Sequence, residues 1–216
     1  MYYVAITTRN RQQSFYDTYN SVKQFTDNII VVDDASDINY SNADFRFNEI
    51  VGIPKAKNKC IELFMNTNSE HLFLLDDDVI IKDKAFFDRY IQSKYNHLCY
   101  SFTPIKKKEN DIKIHHIPNG CAMYFNRICF DVVGGFDTKF GLGKYEHLDL
   151  SRRIYNVGLT PYPYIDLIGS RNWIKSLDNR KEIKRSFSID EMSSLLKKGR
   201  NYFLSKKDSI EFIDYG

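Results

Sequence analysis

Three consecutive acids, Asp76-Asp77-Asp78, interrupt the apolar run from Phe73 to Ile81. The flanking aliphatic and aromatic residues have no helical spacing and read as a buried strand, so a triple acid marks the place where that strand leaves the core. Side chains alternate along an extended chain, which points Asp76 and Asp78 one way and Asp77 the other. Two carboxylates so close raise each other's pKa unless a cation lies between them. A hard divalent ion, Mn2+ or Mg2+, suits such a pair: it takes oxygen ligands and keeps positions for substrate phosphates. The plainer alternative is a solvated loop of acids that follows a strand, with Asp83 capping the next helix.

A second acidic exit has the same form. Asn28 to Val32 reads as a buried strand that ends in Asp33-Asp34-Ala35-Ser36-Asp37. Before it, Tyr2 to Thr8 is extended and apolar, and Phe15, Tyr19, Val22 and Phe25 recur at helical spacing. Glu49 to Ile53 reads as a third strand, with Pro54 opening a helix that carries Ala56, Cys60, Leu63 and Phe64. A helix over Lys84 to Tyr95 leads to a strand over His97 to Phe102. This alternation predicts an α/β fold with a doubly wound, mostly parallel sheet whose ligands bind beyond the carboxyl ends of the strands.

Past residue 102 the rhythm changes. Ile112 to Ile117 and Cys121 to Phe125 read as neighbouring antiparallel strands joined at Pro118-Asn119-Gly120. Turn-rich Gly134-Gly135-Phe136-Asp137 and Phe140-Gly141-Leu142-Gly143 precede a helix from Tyr145 to Ile154 that Gly158 closes. His115 and His116 are adjacent in an expected strand, so only one can face a cleft, and both read as structural.

At 216 residues with 43% hydrophobic content, the chain suffices for one domain with a small appendage. No run of eighteen apolar residues occurs, and Met1-Tyr2-Tyr3-Val4 leads straight into a strand, so a cytoplasmic protein without an integral membrane segment is expected. The four cysteines, at 60, 99, 121 and 129, lack metal-ligand spacing and read as reduced core thiols. Net charge is +3, but Arg171 to Lys207 holds eleven Lys or Arg against four acids. That helical, basic C-terminal tail could meet an anionic partner or simply be a solvated face.

Taken in order, five pieces resemble a family 2 glycosyltransferase of the GT-A fold: Thr7-Thr8-Arg9-Asn10-Arg11, Val31 to Ser36, Gly52 to Lys59, Asp76 to Asp78, and Gly134 to Asp137 leading to Glu146-His147-Leu148-Asp149. The resemblance covers roughly residues 2 to 170. It implies a nucleotide-binding half over 1-102, an acceptor half over 103-170 and a tail over 171-216. It further implies that Asp34, or its neighbour Asp33, reads a uracil ring, with a plain capping role as the alternative. Thr7, Thr8, Arg11, Lys57, Asp76 and Asp77 fall at the donor nucleotide. Lys57 stands where an arginine is usual, a point charge in place of a planar fork. The metal falls to Asp76 and Asp78. Related enzymes add a late histidine that this chain lacks, and Asp166 is the candidate replacement, with a polar residue at the edge of the core as the equal alternative.

The implied activity is metal-dependent, inverting transfer of a sugar from a UDP-sugar donor to an acceptor hydroxyl on a glycan, a lipid-linked sugar or a modified base of viral DNA. The base is expected within Glu146, His147 and Asp149; His147 occupies the position of the family's aspartate, and a neutral imidazole can accept a proton near neutral pH. A nucleotide-sugar-binding protein without transfer activity is the competing reading. A nucleotidyltransferase ranks lower, because its glycine-rich phosphate loop is missing.

Overall fold

The computed structural model describes residues 1–177 and 188–216. The middle of the basic tail, 178–187, lies outside the described residues.

The central sheet has six strands: β1 (Tyr2–Thr8), β2 (Ile29–Asp33), β3 (Phe45–Arg46), β4 (His71–Asp76), β6 (His97–Cys99) and β9 (Ala122–Asn126). Their order is β3-β2-β1-β4-β9-β6, parallel from β3 to β4, with β9 antiparallel to both its neighbours. Both faces are covered, so the strands are apolar runs and alternate residues feed different cores. Val4, Ile6, Phe73 and Leu75 join one cluster; Ala5, Leu72 and Leu74 join the other. The first core packs α1 (Gln12–Lys23) and α3 (Ala85–Gln92); the second packs α2 (Ile53–Met65), α4 (Ile128–Val133) and α5 (Glu146–Asn156). Phe73 alone meets the rings of Tyr2, Phe86, Phe87, Tyr90 and Tyr124.

Parallel pairing in this register brings three strand ends to one edge. Thr7 sits beside Asp76 and Thr8 beside Asp33. Two smaller antiparallel sheets flank that edge. One pairs β7 (Ile105–Glu109), β8 (Ile112–His115) and β10 (Ile165–Leu167); the other pairs β5 (Val79–Ile81) with β11 (Ile174–Ser176), which follows the short α6 (Ser170–Trp173). The tail forms α7 (Ile189–Lys206), opened by a reciprocal cap between Ser188 and Glu191. No described helix is long and apolar enough to cross a membrane. All four cysteines are buried and free.

Two expected elements differ. Residues 49 to 53 are not a strand: the backbone N–H groups of Val51 and Gly52 are spent on the Asp34 carboxylate, at 2.7 and 3.1 Å, and β3 forms earlier. The segments 112–117 and 121–125 do not pair with each other. β8 turns back on β7, whose lysine-rich face is exposed and left no apolar signal, while β9 inserts between β4 and β6.

Candidate active site

Asp76 is the last residue of β4, and Asp77 and Asp78 form the turn into β5. Strand alternation therefore stops at Asp76, and the expected split, two acids one way and Asp77 the other, is not what forms. All three acids line one cleft of about 590 Å3, together with Thr7, Thr8, Arg11 and Asp34. The Thr8 hydroxyl donates to Asp77 Oδ2 at 2.7 Å, and Arg11 Nη1 donates to Asp77 Oδ1 at 3.0 Å and Asp78 Oδ2 at 3.3 Å. Burial pushes the Asp77 carboxyl up, against the pull of Arg11 and Thr8. The first strand's exit loop is thus tied to the acid turn by residues about seventy positions apart.

Lys57 differs from expectation. Its ammonium is 2% exposed and does not line the cleft; it lies 3.0 Å from Asp76 Oδ1 and donates to the Gly120 carbonyl at 3.3 Å. Burial opposes its charge, but Asp76 and Glu146 more than restore it and raise its pKa. Lys57 therefore acts through Asp76, as a buried counter-charge behind the cleft. Asp34 reaches the cleft, yet each of its oxygens also holds a backbone N–H of the 51–52 turn, so the capping role is present whatever else it does.

The donor set suits a hard cation: oxygens only, on a shared wall, with the Arg11 guanidinium already bridging Asp77 and Asp78 as a positive stand-in. Among the described residues no three His, Cys, Asp or Glu side chains form a ready metal cage. Asp166 does not join the cluster. It is fully buried within β10 of the flanking sheet, where Lys113 Nζ lies 2.9 Å away and Tyr90, Ser170 and the Ser101 and Leu167 backbones donate to it. A carboxylate so fully engaged is a structural hub, and the expected third ligand is withdrawn.

The helix expected to carry the base starts at Glu146, directly after Lys144 and Tyr145, both left-handed at φ 82° and 71°. Each costs on the order of 1–2 kcal/mol, so the neighbourhood must hold them. α7 does so: Gly199 packs against the Lys144 carbonyl, where an added Cβ would come within 2.7 Å, and Phe203 stacks obliquely on Tyr145. Glu146 is 4% exposed, and its Oε2 has no hydrogen-bond partner among the described residues. Burial raises its pKa, but His147 and Lys57 outweigh that and hold it down at about 2.

None of Glu146, His147 and Asp149 lines the cleft. Both His147 ring nitrogens face acceptors, Glu146 Oε1 and the Pro118 carbonyl, each at 3.3 Å. Asp149 is 1% exposed and accepts from Arg153 at 2.9 Å, with Lys206 Nζ at 3.6 Å. Its place as a candidate base is corrected to that of a buried anchor, which joins α5 to α7. The structure adds cleft residues that no motif announced: Phe102, Asn119 and Leu142, and Met192, Leu195 and Leu196 of α7. The last three sit on a helix whose sequence reads as an ordinary amphipathic tail.

Fold and cleft define a GT-A glycosyltransferase architecture. Among solved structures, the chain matches the mannosyltransferase PcManGT from Pyrobaculum calidifontis in complex with GDP-Man and Mn2+ (15% identity, 74% of this chain and 53% of that one, TM-score 0.54). It also matches S. aureus TarS 1-349 (11% identity, 94% and 72%, TM-score 0.58) and GalNAc-T7 with UDP, GalNAc and Mn2+ (14% identity, 100% and 52%, TM-score 0.59). It thus spans about half the length of the first and third. No family model matches the sequence. An uncharacterized glycosyltransferase, R363 of Acanthamoeba polyphaga mimivirus, is 29% identical over 218 residues, covering 89% of this chain and 82% of the relative. The chain thus shares the GT-A fold of these glycosyltransferases and is 29% identical to a relative named as one.

Proposed function

We propose that the protein is a metal-dependent, inverting glycosyltransferase of the family 2 type, which moves a sugar from a UDP-sugar to an acceptor hydroxyl. The observation that carries the reading is the convergence of Asp76, Asp77 and Asp78 with Thr8, Arg11 and Asp34 on one cleft at the carboxyl edge of a parallel sheet. Ligands of open α/β sheets bind at that edge. Asp76 and Asp78 would hold Mn2+ or Mg2+, which when bound supplies Lewis-acid stabilisation of the leaving diphosphate. Arg11 would place positive charge beside that diphosphate, while Lys57 balances Asp76 from behind the cleft. Asp34 has lone pairs beyond those used by the 51–52 turn, and these accept from a uracil N–H.

In the transfer, the acceptor oxygen bonds to the anomeric carbon as the bond from that carbon to the diphosphate oxygen breaks. The acceptor proton passes to the Glu146–His147 pair, neither of which lines the cleft, and attack opposite the leaving group inverts the centre. Glu146 Oε2 has no hydrogen-bond partner among the described residues, and the carboxylate, held down at about 2, stays ionised to receive the proton. A second reading, nucleotide-sugar binding without transfer, draws on the His147 ring, both of whose nitrogens already face acceptors. Turnover of the donor in Mn2+ separates the two readings.

Calorimetric titration with UDP and GDP tests the site. UDP should bind more tightly than GDP in Mn2+, and binding should vanish with EDTA and in Asp78→Ala, whose circular dichroism should match that of the parent. Unchanged affinity after chelation removes the metal role; tighter GDP binding removes the uridine role.

A further inference from the structure

Beside the candidate donor cleft lies a second cavity of about 470 Å3, lined by Lys82, Tyr100, Phe102, Arg171, Ile174, Lys175 and Ser176. The two share a wall, since Phe102 and Ser176 line both. The second cavity differs in chemistry. Three cations line it, and no acid is among its described lining residues. The Lys82 ammonium is held by the Arg171 carbonyl at 2.9 Å, and no described carboxylate pairs with Arg171 or Lys175. All three cationic side chains are exposed. Exposed cations with no carboxylate partner among the described residues, set around a concave floor, form a site that suits an anion.

The apolar part is equally specific. Ile174 and Tyr100 form a buried floor, and Phe102, 42% exposed, offers its ring at the boundary between the cavities. The cations come from three points of one rigid frame: Lys82 just past β5, Arg171 in α6, and Lys175 in β11, which is hydrogen-bonded to β5. Sites on such elements hold their geometry better than sites on loops. The volume is that of a small-molecule site rather than a groove for a polymer strand.

We infer that this cavity is the acceptor subsite and selects a phosphorylated sugar or polyol, whose phosphate lies among Lys82, Arg171 and Lys175 while a hydroxyl passes Phe102 and Ser176 into the donor cleft. The inference rests on the glycosyltransferase reading above and names its acceptor class. It also gives Phe102 a role that no motif announced, as the apolar divider on which the acceptor ring rests.

The chain's single tryptophan, Trp173, immediately precedes Ile174 of the cavity floor and provides a built-in reporter. Its fluorescence should be followed during titration with glucose 1-phosphate, glucose 6-phosphate and ribose 5-phosphate, each beside its unphosphorylated parent sugar. At least one phosphosugar should bind ten-fold or more tightly than its parent. That preference should disappear in Arg171→Glu and in Lys175→Glu, with thermal midpoints and UDP–Mn2+ affinity unchanged in both variants. If UDP–Mn2+ binds and no phosphosugar is preferred over its parent, the acceptor inference fails and the donor reading stands. If the phosphosugar binds and no nucleotide does, the donor reading fails instead. A single-stranded oligonucleotide that binds more tightly than every phosphosugar, and is lost in the same two variants, would overturn the phosphosugar assignment in favour of nucleic acid.

Discussion

His97 is fully buried behind the helix that carries Glu146, and lowering the pH should unfold the protein through it. Its Nδ1–H donates to the Tyr124 carbonyl at 2.8 Å, and its Nε2 accepts from the Cys99 thiol, with Sγ at 3.2 Å, and lies 2.8 Å from the Ser151 hydroxyl. Ser151 in turn donates to the His147 carbonyl at 2.8 Å, so the chain of bonds ends on the first turn of α5. Burial, partly offset by the Tyr124 contact, lowers the His97 pKa from 6.5 to about 4. The unfolded chain therefore binds a proton between these values that the folded chain refuses. This stability is fully present above pH 6.5 and falls as the pH drops toward 4. At about 1.4 kcal/mol per pH unit, the full loss is about 3 kcal/mol, of which about 2 kcal/mol should be expressed by pH 5. The depressed carboxylates, Glu146 and Asp137, change stability only below their ordinary range near pH 4, whereas the raised Asp77 carboxyl favours the folded state as the pH falls and works against the histidine trend. His71 and His115 are also lowered and add to the raw slope. The informative quantity is thus the difference between the parent and His97→Asn, whose amide keeps the donor to Tyr124 and does not titrate. Urea unfolding followed by circular dichroism at pH 7.5, 6 and 5 should show the parent losing about 2 kcal/mol more than the variant over that range. Equal losses would refute the assignment of a buried neutral imidazole.

Two further substitutions separate charge balance from catalysis. Lys57→Met removes the counter-charge of the part-exposed Asp76 and one of the cations acting on the buried Glu146, and should cost about 2–3 kcal/mol at pH 7. Urea midpoints check it, and a loss under about 1 kcal/mol would show that the pair is solvated. Glu146→Gln should lower turnover about 10^2- to 10^4-fold with UDP affinity unchanged, and proton NMR of the product should show an inverted anomeric centre. Asp149→Asn should act instead on the thermal midpoint, through Arg153 and Lys206; a kinetic loss without a stability loss would return Asp149 to the base role.

Where the acids lie was legible from sequence because it depends on local periodicity. Buried runs ending in Asp33-Asp34 and Asp76-Asp77-Asp78, alternating with helices, place both exits at one edge once the sheet is parallel, and the register puts Thr8 beside Asp33 and Thr7 beside Asp76. The helix that opens at Glu146 and the four core thiols follow from equally local signals. What each charge does depended on partners far along the chain. Lys57 reads as a phosphate ligand until the fold sets Asp76 and Gly120 against it, and Asp166 reads as a metal ligand until Lys113, Tyr90 and Ser170 close around it. Strand pairing behaved alike: β8 and β9 are joined by a turn-like segment, yet one finds β7 and the other inserts between β4 and β6. α7 carries no motif, but docking against Lys144 and Tyr145 makes its Met192, Leu195 and Leu196 a wall of the cleft. Periodicity is a property of neighbours in sequence and can be read there; counter-charges, strand partners and cavity walls are chosen by neighbours in space, and only the folded chain brings those together.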